Sequence, residues 1–189
     1  MYTVPIISLG VGMQTFLPCL EYSESARVLD NVRLNKQIIE AYQIYTGRVP
    51  QKNHPACLMW EGYKPHLLLY IVACLDEYEF RFGRVHTVRE NIFGSNPHIY
   101  QACKLACDCV ERPIHLRHNL VSISHMVNLI RKDGIYYGSR LTYQLRYATF
   151  VVFDREIDID EFPTGYYWPV DCVGKKAQRD TQAWLDFLG

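Results

Sequence analysis

A chain of 189 residues, 49% hydrophobic and 21% charged, carries enough apolar material for one domain with a buried core. Its 20 basic residues balance its 20 acidic ones, which argues against a protein held to nucleic acid by bulk charge but leaves room for a local basic patch. The opening MYTVPIISLGVG lacks the pattern of a secretory signal. No apolar run reaches the ~18 residues of a membrane helix, and the seven cysteines show no disulfide framework, so reduced thiols in a cytoplasmic protein are expected.

In chain order, residues 1–18 read as extended or loop-like, broken by Pro5, Gly10, Gly12 and Pro18. A single helix is expected from about Ser25 to Thr46, stopped by Gly47 and Pro50. Pro55 and Pro65 suit first helical turns, giving a short helix over 55–61 and a longer one over 65–82 closed by Gly83. Further helices are expected over 86–93, 97–109 and 118–133, with ERPIHLR read as a loop. Residues 141–153 fit a strand or a helix equally. FPTGYYWPV reads as an aromatic loop and Lys175–Leu188 as a last helix. The fold class expected is mainly α, a compact helical bundle with little or no strand. Residues 1–12 form an N-terminal extension, 13–170 the domain, and 171–189 a helical tail packed on it.

Charge is segregated along this order. Residues 111–149 hold six Arg or Lys against two acids, whereas DREIDIDE (154–161) holds five acids against one Arg. The acidic run reads most simply as a solvated loop. Cys103, Cys107 and Cys109 in CKLACDC lack a matching second pair, so buried thiols are a better reading than metal ligands, and no metal or cofactor is expected.

One stretch stands apart. In SARVLDNVRLNKQIIEAYQIYT, Asp30, Arg33, Gln37 and Glu40 recur at spacings of three, four and three, within an arc of about 80° on one helix. Ala26, Ala41, Leu29, Leu34 and Ile44 lie on or beside that arc, so the stripe is expected to be part-buried. A part-buried carboxylate needs a partner, or its pKa rises. Arg33 can pair with Asp30 or Gln37 but lies seven residues from Glu40. Glu40 is therefore the freer carboxylate, suited to general acid–base work or to stabilising positive charge. On pattern alone, a structural salt-bridge stripe is the leading reading.

LDNVRLNKQIIEAYQI, NHPACLMWEGY, SHMVNLIRKDGIYYG and YYWP, in that order, resemble the pyrimidine dimer DNA glycosylase family of the endonuclease V type, and more closely its bacterial and phage branch. The resemblance runs over roughly residues 13–170. It implies a small helical enzyme that binds and distorts duplex DNA and cuts an N-glycosidic bond, with DNA as partner and no membrane or obligate protein partner. It places the family's catalytic glutamate on Glu40, with Leu34 and Arg33 matching its neighbours, and makes Asp30, Arg33 and Gln37 the rest of the catalytic stripe. It makes Thr15, Lys36, Asn53, His54, His125, Asn128, Arg131 and Lys132 candidates for DNA contact, with Arg131 and Lys132 on phosphates. Trp60, Tyr63, Tyr166, Tyr167 and Trp168 become candidates to cover a displaced base, although core packing suits each of them better.

The resemblance also implies an N-terminal amine nucleophile, and here the chain departs from it. Methionine before Tyr2 is expected to be retained, and the branch's usual start, MQTFLP, falls at Met13. Three routes stay open: the α-amine of Met1 or Met13, a lysine such as Lys36, or water activated by Glu40 or Asp30. The last leads, as a monofunctional glycosylase. A nucleotide- or base-modifying enzyme using the same pocket, and a non-catalytic nucleic-acid-binding module, are the rival readings. His118, Ser122 and His125 share a helical face and read as packed rather than metal-binding. Asn53 and His54 fit an N-cap and a pocket wall equally well.

Overall fold

The computed structural model describes residues 14–94, 96–109, 111–170 and 175–188. The expected 1–12 extension, and the α-amines of Met1 and Met13, lie outside the described residues. Within them the fold is wholly helical: α1 (Tyr22–Val28), α2 (Asn31–Thr46), α3 (Pro55–Leu58), α4 (Lys64–Phe82), α5 (Thr87–Phe93), α6 (Ile99–Cys109), α7 (Ile114–Arg117), α8 (Asn119–Lys132), α9 (Gly134–Phe153) and α10 (Lys175–Leu188), with a 3₁₀ turn at Ile159–Glu161. None of these helices is long and apolar enough to cross a membrane.

The helix expected over Ser25–Thr46 is broken in two. Leu29 is extended (ψ 142°), and Asp30 becomes the N-cap of α2, its carboxylate accepting the Arg33 amide at 2.8 Å. Asp competes with the helix for such backbone bonds, which is why it caps rather than continues. Arg81 of α4 completes the break. Its guanidinium donates to the carbonyls of Leu29 (2.6 Å) and Arg27 (2.7 Å), which α1 leaves without intrahelical partners. α2 ends at Gly47 and α4 at Gly83, both with positive φ (70° and 61°), the left-handed cap that glycine takes without cost.

α4 is the central element. It buries nine residues, among them Leu67, Leu68, Ile71 and Leu75, and packs against α1, α2 and α6. α8 also buries nine residues and lies along α9. The segment 141–153, ambiguous in sequence, is the second half of α9. Tyr137, Leu141, Leu145 and Thr149 recur every fourth residue on its buried side. ERPIHLR, expected to be loop, contains the single turn α7, and the helix expected over 55–61 stops at Leu58. α10 is anchored by Trp184, fully buried and stacked on Phe162 at 5.8 Å between ring centroids.

Candidate active site

A cleft of about 1080 Å³ opens between the start of α2, the end of α8, the aromatic loop before α10 and the first turns of α10. Its floor is built by the segment 14–17, which Gln37 fastens to α2. Gln37 is fully buried. Its oxygen accepts the Phe16 amide (2.8 Å) and the Tyr70 hydroxyl (2.9 Å), and its nitrogen donates to the Gln14 carbonyl (2.7 Å). His125 of α8 holds the same segment from the other side. Its Nδ1 accepts the Leu17 amide at 2.8 Å, and its Nε2 lies 2.8 Å from the Gln14 side-chain amide. With Nδ1 accepting, the ring proton of a neutral histidine sits on Nε2, and the Gln14 side-chain amide, turned to present its oxygen, accepts it. Burial, together with nearby His115, pushes the His125 pKa down to about 3, so the ring is neutral at physiological pH.

Two carboxylates of α2 face this floor in different states. Asp30 is committed. It caps the helix, accepts the Tyr137 hydroxyl at 2.6 Å and forms an ion pair with Arg33. Burial alone would raise its pKa, but the bonds from Tyr137 and Arg33 outweigh it and hold the carboxyl below its usual value. Glu40 is held loosely. Its neighbours are the Gln14 amide at 3.4 Å, the Gln37 side-chain nitrogen at 3.5 Å and the Lys36 ammonium at 3.6 Å. Its side chain is 12% exposed, and desolvation raises its pKa against the opposing pull of Lys36 and the Gln14 amide.

Cations ring the mouth. Arg33 lies over the Tyr137 ring at 5.4 Å and Lys132 over the Phe16 ring at 5.6 Å. Burial, then the charges of Arg33 and Lys36, lower the Lys132 pKa. His54 lines the cleft and caps α3, accepting the Ala56 amide at 3.2 Å, so both roles read for it from the sequence are present in the geometry.

Other sequence candidates stand elsewhere. Thr15 is fully buried and accepts the Trp60 indole N–H at 3.0 Å. Asn53 lines a separate cavity of about 620 Å³ beside the end of α2. Asn128 donates to the Gly165 carbonyl at 2.5 Å, and Arg131 to the carbonyls of Ile159 (2.7 Å), Phe162 (2.9 Å) and Pro163 (2.9 Å). Both tie α8 to the aromatic loop. Of the aromatic candidates, Tyr166 and Trp168 line the cleft, whereas Trp60 is buried and stacks on Tyr70.

Sequence reasoning missed Gln14, Asp133 and Tyr136 on the cleft wall, and also Lys176, Ala177 and Asp180 from α10. The α10 residues sit about 140 positions from the stripe, and no local pattern announces that a distant helix closes the far side. The match to Trp184 and Phe162 that seats α10 is a tertiary fact.

No protein of curated function and no solved structure matches the chain. A family model does. The first two resemblance motifs fall inside the stretch it covers, and SHMVNLIRKDGIYYG and YYWP lie beyond it. Over residues 13–90, which include Arg33, Gln37 and Glu40, the sequence matches the pyrimidine dimer DNA glycosylase family, a family of enzymes that act on DNA, and over that stretch bears out the resemblance to the family.

Proposed function

We propose that this cleft is the active site of a DNA N-glycosylase that removes damaged or modified pyrimidines, with Glu40 as the reacting carboxylate. The observation that carries the reading is the contrast within α2. Asp30 is consumed by bonds of 2.8 Å or shorter, whereas among the described residues every polar contact to Glu40 is 3.4 Å or longer. Desolvation also moves the Glu40 pKa up towards the working pH, where a general base is most effective.

Breaking a glycosidic bond builds positive charge on the sugar, and a carboxylate in a poorly hydrated site stabilises it. In the hydrolytic route Glu40 takes a proton from water, the water oxygen bonds to the anomeric carbon, and the electron pair of the broken C–N bond leaves with the base. Arg33, Lys36 and Lys132 then serve to position the phosphates on either side of the displaced nucleotide. Asp30 acts through Arg33 and the start of α2, as a positioning residue.

The lowered pKa of Lys132 supports a second route, because a lysine flanked by other cations is a competent amine nucleophile. In that route its neutral nitrogen bonds to the anomeric carbon as the base departs with the electron pair of the C–N bond; the sugar's ring C–O bond then breaks, a proton passing from the nitrogen to the ring oxygen, and leaves an imine that borohydride reduces. Ultraviolet-irradiated duplex DNA, incubated with the protein with and without borohydride, distinguishes the routes. Base release, read as alkali-labile abasic sites because a cleaved base of a dimer stays bonded to its neighbour, supports water when no adduct forms. An adduct abolished by Lys132→Arg supports the lysine, and one that survives points to another amine of the chain. No base release from duplex, with release from free nucleotides instead, overturns the glycosylase reading.

A further inference from the structure

Among the described residues, the face of α9 turned away from α8 is a seam left uncovered beyond Tyr136, whose hydroxyl donates to the Leu29 carbonyl at 3.1 Å. Tyr136, Arg140, Tyr143, Tyr147, Phe150 and Asp154 follow one another at spacings of four, three, four, three and four. At 100° per residue the five within α9 stay within about 80° of arc, opposite the buried Tyr137, Leu141, Leu145 and Thr149, and Asp154 follows as the left-handed cap of the helix. Tyr143 is 80% exposed, Tyr147 66% and Phe150 56%, with Val151 beside them at 57%. Alternating four–three spacing is the pattern by which one helix packs along another, and large contiguous apolar side chains left in water mark an interaction surface.

The charges on the seam identify the occupant. Arg140 lies towards its N-terminal end and Asp154 at its C-terminal end. Against a second copy in parallel, Arg140 would meet Arg140 and Asp154 would meet Asp154. Antiparallel, each Arg140 end lies beside the partner's Asp154 end, and Tyr143 and Tyr147 pack across the middle. Polar residues within an apolar seam select orientation in this way. A nucleic-acid strand fits less well, because the seam runs into the acidic stretch 154–161, which repels phosphate.

We propose that the chain self-associates through α9 as a two-fold antiparallel helix pair. The seam starts at Tyr136 on the cleft rim and runs away from the cleft. A single helix pair belongs with interfaces below about 1,200 Å², which are weak, so the dimer forms with rising concentration and is not obligate. The inference is independent of the catalytic reading.

Sedimentation velocity from micromolar to sub-millimolar protein tests it. The wild-type chain is expected to shift from monomer to dimer. Arg140→Asp and Asp154→Lys are each expected to weaken association roughly tenfold or more, because each sets like charges together twice. Mixed in equal amounts, the two variants are expected to recover it as a heterodimer, since both contacts again join opposite charges. Circular dichroism confirms that each variant is folded. Tyr143→Glu serves in place of Asp154→Lys if the left-handed backbone at position 154 (φ 54°) rejects lysine, and is expected to abolish the dimer. A wild-type chain that stays monomeric throughout overturns the proposal, as does a mixture of folded variants that fails to recover. A Tyr147→Ser variant that loses oligonucleotide affinity with no change in an already monomeric state assigns the face to nucleic acid instead.

Discussion

The Gln37 side-chain oxygen accepts the Phe16 backbone N–H at 2.8 Å, and through this bond the cleft floor is fixed to the helix that carries Glu40. The Gln37 nitrogen extends the link to the Gln14 carbonyl, and the Gln14 amide in turn faces Glu40. Replacing Gln37 by the near-isosteric Met leaves two buried backbone groups without their partner. At roughly 1–3 kcal/mol for each buried polar group left unsatisfied, Gln37→Met is expected to cost about 3 kcal/mol, read from urea unfolding. Base release should fall as well, because the amide facing Glu40 is no longer held.

Two buried histidines give the fold an acid limit. His125 and His115 both have pKa values pushed from 6.5 to about 3, chiefly by burial. The unfolded chain therefore binds more protons than the folded one between about pH 6.5 and pH 3. Stability rises with pH in that window and is lost on acidification, by about 1.4 kcal/mol per pH unit for each histidine once well below 6.5. Glu40, with a raised pKa, works in the opposite direction but is one part-buried group against two histidines. The thermal midpoint is expected to be flat above pH 7 and to drop between pH 6 and pH 4. A midpoint unchanged at pH 4.5 contradicts the placement of both rings.

Asp30 and Glu40 should separate when mutated. Asp30→Ala removes the cap of α2 and the partner of both Arg33 and Tyr137. Loss of the cap alone costs about 1 kcal/mol, and the orphaned Arg33 adds to it. The variant is expected to melt earlier than wild type yet to retain measurable base release at temperatures where it is folded.

How much of this was legible in the sequence differs residue by residue. The stripe was found because a helix repeats every 3.6 residues, and Arg33, Gln37 and Glu40 do share a face of α2. The break at Leu29 was not found, because Asp30 reads equally as a helical residue or a cap until Arg81, fifty-one residues away, is seen to bond the carbonyls of α1. The 141–153 segment was undecidable because Tyr, Thr, Val and Phe favour strands, and only packing on α8 settles it as helix. Arg131 and Lys132, adjacent and both basic, read alike in the sequence. The structure turns Arg131 onto three loop carbonyls and Lys132 into the cleft.

That last division is testable. Arg131→Ala is expected to destabilise the protein by loosening the loop over Ile159–Pro163 while leaving the salt dependence of DNA binding unchanged. Lys132→Gln is expected to do the reverse, lowering the slope of log affinity against log salt by about 0.9 if its ammonium meets one phosphate. Fluorescence anisotropy at several salt concentrations, beside a melting curve, reads both.

The proposed chemistry rests above all on Glu40. Glu40→Gln keeps the size and the contacts to Gln14 and Gln37 but removes the charge and the base. On ultraviolet-irradiated duplex DNA under single-turnover conditions, base release is expected to fall at least about 100-fold, the scale of a lost general base, with DNA affinity and melting temperature close to wild type. Base release that survives Glu40→Gln within a few-fold would contradict it.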